Sequence, residues 1–257
     1  MITTPVSFAK YDFRERSGYI LTDDLFAIGH TALVPPWTDS QIHIHENSEE
    51  YYLLLQGELR FVVGEAGITL KPREMLVVKP RVPHAIVGGT GIIEHLGFRA
   101  PGAKDKQIIG DIPQVVPQDS ATERELRCDW GYRIPLALTE DQNCWLVGNG
   151  TARYASQFLS LANLNFPTNE SANAGIGMRH RLHLHQASWE YYIVLRGTET
   201  LQIEDALVNI EPGELVVIPP KVKHTLHSRQ APFEGFTIRV PCLDWNDKVE
   251  LNASSIS

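Results

Sequence analysis

Residues 43–57 read HIHENSEEYYLLLQG and residues 183–197 read HLHQASWEYYIVLRG, one pattern repeated at an offset of 140. The offset continues, with VVKPRVPH at 77–84 matching VIPPKVKH at 217–224 and FRAP at 98–101 matching IRVP at 238–241. Register kept over that length marks two copies of one domain. Upstream, the best match pairs Phe13-Arg14 through Gly18-Tyr19 with Leu126-Arg127 through Gly131-Tyr132, which gives the second copy about 27 extra residues, placed in or around 148–177. A polar, proline-bearing connector containing Lys104-Asp105-Lys106, Pro113 and Pro117 follows the first copy. The predicted organisation is an N-terminal domain at 1–102, a linker at 103–125, a C-terminal domain at 126–245 and a frayed tail at 246–257.

Each copy reads as short strands between turn residues: FVVG at 61–64, ITLKP at 68–72, MLVVKP at 75–80 and IIEHLGF at 92–98 in the first. Helical periodicity is weak, and Gly64, Gly67, Pro72, Pro80 and Pro83 end strands. The expected class is all-β, as barrels or sandwiches.

Composition narrows the function. With 23 basic against 31 acidic residues the net charge is −8, which disfavours nucleic acid and anionic membrane as partners. Cys128, Cys144 and Cys242 are far apart and odd in number, so neither a disulfide framework nor a zinc knuckle is suggested. No leader pattern opens the chain, and no window approaches the ~18 apolar residues of a membrane span. A cytoplasmic protein is expected.

Side chains alternate faces along a strand, so His43 and His45 share one surface while Ile42 and Ile44 face away. Glu50 follows after a stretch long enough for a hairpin, and His84 opens a later strand. His183, His185, Glu190 and His224 repeat the layout at identical spacing. Three imidazoles and a carboxylate suit divalent Mn, Fe, Co, Ni or Zn and leave coordination positions open. Without nearby cysteine, a closed structural zinc site is the poorer reading. A lone histidine on a strand is usually a core or surface group; His30, His95, His180 and His227 have no counterpart at the repeat offset and take that reading.

On these residues the chain resembles the cupin superfamily. The second copy supplies the whole first cupin motif, with Gly177, His183, His185, Glu190 and Gly197, and then Gly213, Pro219 and His224 of the second motif, departing at Lys221 and Ser228. The first copy keeps its four ligands but has Trp37, Arg73, Lys79, Arg81 and Gly88 at motif positions. The resemblance implies two tandem double-stranded β-helix (jelly-roll) barrels, a bicupin whose two domains pack as a pseudo-dimer, with a homodimer as a further expectation. It implies no single reaction, because cupins host many chemistries.

Parity extends the inward face. Arg179 and Arg181 share a side with His183, as Gln41 does with His43, so Arg181 is expected to face the metal and grip a carboxylate or enolate; a rim or salt-bridge role is the alternative. Tyr192, Val194 and Arg196 follow Glu190 inward, as Tyr52, Leu54 and Gln56 follow Glu50, unless a bulge intervenes. Arg99 and Arg239 read as solvated strand ends or interface pairs.

The expected function is a divalent-metal-dependent enzyme acting on a small acidic or enolic molecule, with Glu190, Arg181 and Tyr192 as catalytic candidates. A dioxygenase is favoured, since the ligand set with Glu resembles that of quercetin and acireductone dioxygenases. Oxalate-metabolising bicupins share the set, but their acidic lid motif is not recognisable. A metal-assisted isomerase or cyclase, with Glu190 moving protons, and a non-catalytic small-molecule binder stay open.

Overall fold

A computed structural model describes residues 8–14, 17–34, 41–112, 130–135, 142–150, 152–174, 176, 180–243 and 245–251. Strand β1 is Ala9–Asp12. The strands β2 (Gly18–Thr22), β3 (Ala27–Leu33), β4 (Gln41–His45), β5 (Glu49–Val63), β6 (Ala66–Leu70), β7 (Glu74–Val78), β8 (His84–Ala100), β9 (Lys106–Asp111) and β10 (Gly131–Pro135) form one unit. The other contains β1 together with β11 (Gln142–Gly148), β12 (Tyr154–Ala155), β13 (Ser160–Phe166), helix α1 (Asn169–Asn173), β14 (His183–His185), β15 (Trp189–Ile203), β16 (Ala206–Ile210), β17 (Glu214–Ile218), β18 (His224–Val240) and β19 (Lys248–Glu250). Each unit is a jelly-roll barrel, the fold class expected from the sequence.

In both barrels two long strands carry the architecture. β5 runs antiparallel to β8, and β15 to β18, with β7 and β17 flanking on one side and β3 and β13 on the other. Their inward residues build the core: Tyr52, Leu54, Leu59, Phe61 and Val63 cluster in the first barrel, and Tyr192, Val194, Leu201 and Ile203 in the second. The strands turn from one sheet to the other at Gly57 and Gly197, the closing glycines of the first motif. Both have positive φ, 81° and 73°, and an added Cβ would lie 2.4 Å from the Ile92 oxygen or 2.3 Å from the Gln230 oxygen. No other residue fits there. Just before the turn the register shifts, between Leu54 and Gln56 and between Val194 and Arg196, which carries Gln56 and Arg196 outward, against simple parity; Arg196 is 60% exposed and 3.9 Å from Glu234.

Strand pairing divides the chain differently from the sequence reading. Ala9–Asp12 pairs with β17 of the second barrel, and Gly131–Pro135 with β7 of the first. Ala9 lies opposite Val217 and Tyr132 opposite Val77, so residues 9 and 132 are equivalent, rather than Tyr19 and Tyr132. The expected linker and tail are also structured where described: Lys106–Asp111 pairs antiparallel with β4, and Lys248–Glu250 with β14. The extra residues of the second copy are fewer than expected before the motif. Ala27 and Ser160, facing Arg99 and Arg239, are 133 apart and the ligands 140, so 140 − 133 leaves seven inserted between β13 and β14, where α1 lies.

Lys221, which departs from the cupin glycine, keeps the glycine's backbone. Its φ is 68°, and its N–H donates to the His185 oxygen at 2.7 Å. A left-handed non-glycine residue costs about 1–2 kcal/mol, part of which glycine's unfolded-state entropy offsets. Lys221→Gly keeps the N–H and is expected to stabilise the second barrel by about 0.5–1 kcal/mol, seen as a higher urea midpoint.

Candidate metal centre

His43 and His84 are brought together by a single β4–β8 pairing, and His183 and His224 by the matching β14–β18 pairing. His45 and His185 lie two residues further on, and the hairpins return Glu50 and Glu190 to the same point. In each barrel one ligand-type atom from all four residues falls within 4.8 Å of the others. In the second, Glu190 Oε2 lies 2.6 Å from His224 Nε2, 3.3 Å from His185 Nε2 and 4.0 Å from His183 Nε2. The first repeats this at 2.7, 3.3 and 3.6 Å for His84, His45 and His43 around Glu50.

The outer nitrogens settle which ring atoms face the centre. A backbone carbonyl only accepts, so Nδ1 donates from His84 to the Val82 oxygen at 2.8 Å, from His183 to the Arg181 oxygen at 2.8 Å and from His224 to the Val222 oxygen at 3.0 Å. In the neutral ring, the form that binds a metal, Nε2 then carries the lone pair, and it is this atom that points at the carboxylate. Nε2 of His45 and of His185 is buried without a well-formed hydrogen bond. Lone pairs converging in a buried space repel unless a cation sits among them. The donors therefore fit a divalent metal ion in both barrels.

His45 and His185 are held by carboxylates that the sequence reading assigned to linker and tail. Asp105 accepts from His45 Nδ1 at 2.8 Å and also from the Asn47 and Ser48 amides at 2.8 and 2.9 Å. Asp247 accepts from His185 Nδ1 at 3.1 Å and from the Ala187 amide at 2.8 Å. Each aspartate thus fixes one ligand ring and the turn leading to the glutamate.

Charge states suit ligation. Burial alone would raise the Glu190 carboxyl, but its contacts with His185 and His224 outweigh this and hold it well below the usual carboxylate range; Glu50 is held down likewise by His43, His45 and His84. Burial, with His224 nearby, lowers His183 to about 3, so its ring is neutral. Burial and the charges of Glu190 and Glu199 push the Tyr192 hydroxyl well above its ordinary value, and it bonds to Glu190 as an un-ionised phenol. Its counterpart Tyr52 donates to Glu50 at 2.9 Å.

The space around the two centres differs. In the second barrel a cavity of about 600 Å³ reaches from His183, Glu190 and Tyr192 to Arg239, Arg229 and α1. The first barrel has a cavity of about 210 Å³ bordered by Tyr19, Glu50, Tyr52, His95 and Arg99. Arg239 and Arg99, read from sequence as solvated ends or interface pairs, are only 8% and 7% exposed. Arg239 lies directly opposite Glu190 in the β15–β18 ladder and Arg99 opposite Glu50, and opposed residues project to the same face. Arg181 is the converse correction: it is exposed and 3.6 Å from Glu250. β14 begins only at His183, so strand alternation does not run back to residue 181. Gln41 is also exposed, and Arg179 lies outside the described residues.

A family model described as a cupin domain matches residues 30–91 and again 175–238. This chain is a two-domain cupin. Comparison of the bicupin with curated protein sequences gives no match. Among solved structures it is similar to Bacillus subtilis oxalate decarboxylase at pH 4.6, with TM-score 0.64, 11% identity, and 97% of this chain and 80% of that one covered. A structure describing the substrate binding mode and a reaction specificity switch in oxalate decarboxylase gives TM-score 0.63 and 12% identity, with 97% and 81% covered. At these identities the likeness is one of fold. No helix among the described residues is long and apolar enough to cross a membrane.

Two measurements check the centre. Elemental analysis of the protein purified without chelator is expected to find about two equivalents of divalent metal, with one lost in His43→Ala/His45→Ala and the other in His183→Ala/His185→Ala. Asp247→Ala is expected to weaken metal binding in the second barrel by about 10–100-fold while the first retains its ion.

Proposed function

We propose that the second barrel is a divalent-metal-dependent active site for a small carboxylate or enolate, with carbon–carbon cleavage beside the acid group as the reaction. The observation that carries this is Arg239, buried, opposite Glu190 and lining the larger cavity. A guanidinium there grips a carboxylate through two parallel hydrogen bonds and fixes which end of the substrate meets the centre. It takes over the role the sequence reading gave Arg181.

His183, His185, Glu190 and His224 would hold the ion, which supplies Lewis acidity when bound. Glu190, kept ionised, serves as anchor rather than as proton carrier. Tyr192, kept protonated, offers its hydroxyl as a donor beside Glu190 and not as a base. Oxidative cleavage, with dioxygen as co-substrate, is the reading we favour from the ligand set. Cleavage as a lyase is the second reading, supported by the structural likeness to oxalate decarboxylase.

Metal-loaded protein offered a panel of small 2-oxo, 2-hydroxy and β-dicarbonyl acids separates these. Turnover that consumes dioxygen supports the dioxygenase; carbon dioxide release under anaerobic conditions supports the lyase; anaerobic conversion without carbon loss points to isomerisation. Stoichiometric binding without conversion across the panel would overturn the enzyme reading. Arg239→Leu is expected to raise KM by about 10–100-fold with metal content unchanged, and Arg239→Lys to recover only part of the loss.

A further inference from the structure

The second cavity contains a polar group that the metal centre does not use. Arg229 is 7% exposed and lines the cavity; its Nε and Nη2 both contact Oε1 of the buried Glu199, at 2.8 and 2.7 Å. The guanidinium carbon lies 5.2 and 5.0 Å from the ring centres of Phe166 and Phe233. Asn173 of α1 clamps the same residue, accepting from the Arg229 N–H at 2.8 Å and donating to its oxygen at 2.9 Å. The side chain is therefore held from several directions.

Stability does not account for this. A buried arginine–glutamate pair is commonly matched or bettered by apolar residues of similar volume. The first barrel shows the replacement: at the repeat offset Glu199 and Arg229 become Leu59 and Gly89, Phe233 becomes Ile93, and the cavity shrinks from about 600 to about 210 Å³. The seven-residue insertion with α1 is likewise confined to the second barrel. Glu199, Arg229, Phe166, Phe233 and Asn173 thus form one device present in one copy only.

Arg229 Nη1 has no polar partner among the described residues, and the charge of the guanidinium is already matched by Glu199. An N–H so placed suits a neutral acceptor such as a carbonyl or amide oxygen better than a second carboxylate. Arg239 stands beside Glu190, and Arg229 beside Glu199, nine residues along β15 with Tyr192 between. The two arginines therefore sit at different levels of one cavity.

We infer that Arg229, braced by Glu199, is a specificity-determining residue that hydrogen-bonds a neutral carbonyl or amide oxygen at the far end of an acid whose carboxylate lies at Arg239. The inference rests on the reading of this cavity as an acid site and narrows the substrate class to acids carrying a distal carbonyl.

The test uses the metal-loaded full chain and calorimetric binding of ω-amido acids of increasing length, each against the straight-chain acid of the same length. At the best length the amido acid is expected to bind at least about tenfold more tightly, because a site built to hydrogen-bond a polar group disfavours the analogue lacking it. Glu199→Leu/Arg229→Leu, which removes both charges together and copies Leu59 at one of the two positions, is expected to abolish that preference while the straight-chain acid still binds. Equal affinities in the unaltered protein, or a preference that survives in the double variant, would overturn the inference. The comparison in the unaltered protein decides even if the double variant does not fold. If acids bind, weaken in Arg239→Leu and show no preference, this inference alone falls. If no acid binds, the acid-site reading falls with it.

Discussion

Four acceptor groups with nowhere to direct their lone pairs are the constraint on which this structure turns. Each barrel brings three imidazoles and a carboxylate to one buried point, and the rings of His84, His183 and His224 are fixed from outside through the carbonyls of residues two positions back, those of His45 and His185 through Asp105 and Asp247. Such convergence is unfavourable without a cation and favourable with one, so folding and metal binding share their free energy. The strand pairing His43–His84 and its twin His183–His224 follow from the same demand, because a one-residue slip would turn both rings to the other face.

Around equivalent centres the two copies have diverged in what they leave open. Gly89 and Leu59 let the first barrel close over its own core, while Arg229 and Glu199 keep charge inside the second. The metal-binding apparatus is thus common to both barrels, whereas room and polarity for a larger organic molecule belong to one. An arginine beside the carboxylate ligand is retained in both, as Arg99 and Arg239.

Much of this was legible in the sequence because the ligands are repeated at fixed spacing and lie on regular strands. What escaped depended on pairing across strands. Arg239 faces the site through its register with Glu190, a relation that no spacing along β18 alone reveals. Asp105 and Asp247 are 142 apart, off the repeat offset, and lie beyond the second motif in segments that look like connector and tail. Arg181 misled for the opposite reason: alternation was carried past the start of a three-residue strand into backbone that has no such period. Glu199 and Arg229 carried no signal as a pair, since thirty positions separate them and only the β15–β18 ladder sets them side by side.

The edge strands impose an order on biosynthesis. Residues 9–12 emerge before the rest of their barrel, and their pairing partner, residues 214–217, leaves the ribosome about 200 residues later, on the order of ten seconds or more at ordinary elongation rates. During that interval β1 is an unpaired strand. The first barrel in turn cannot complete its sheet until residue 135 has emerged. A ribosome that stalls near residue 110 therefore presents a barrel with an open edge at β7, the kind of surface that recruits other strands or a chaperone. Dividing the gene at the apparent linker would make that transient exposure permanent, so the two halves of this duplicated chain are no longer separable at the point where their repeat appears to end.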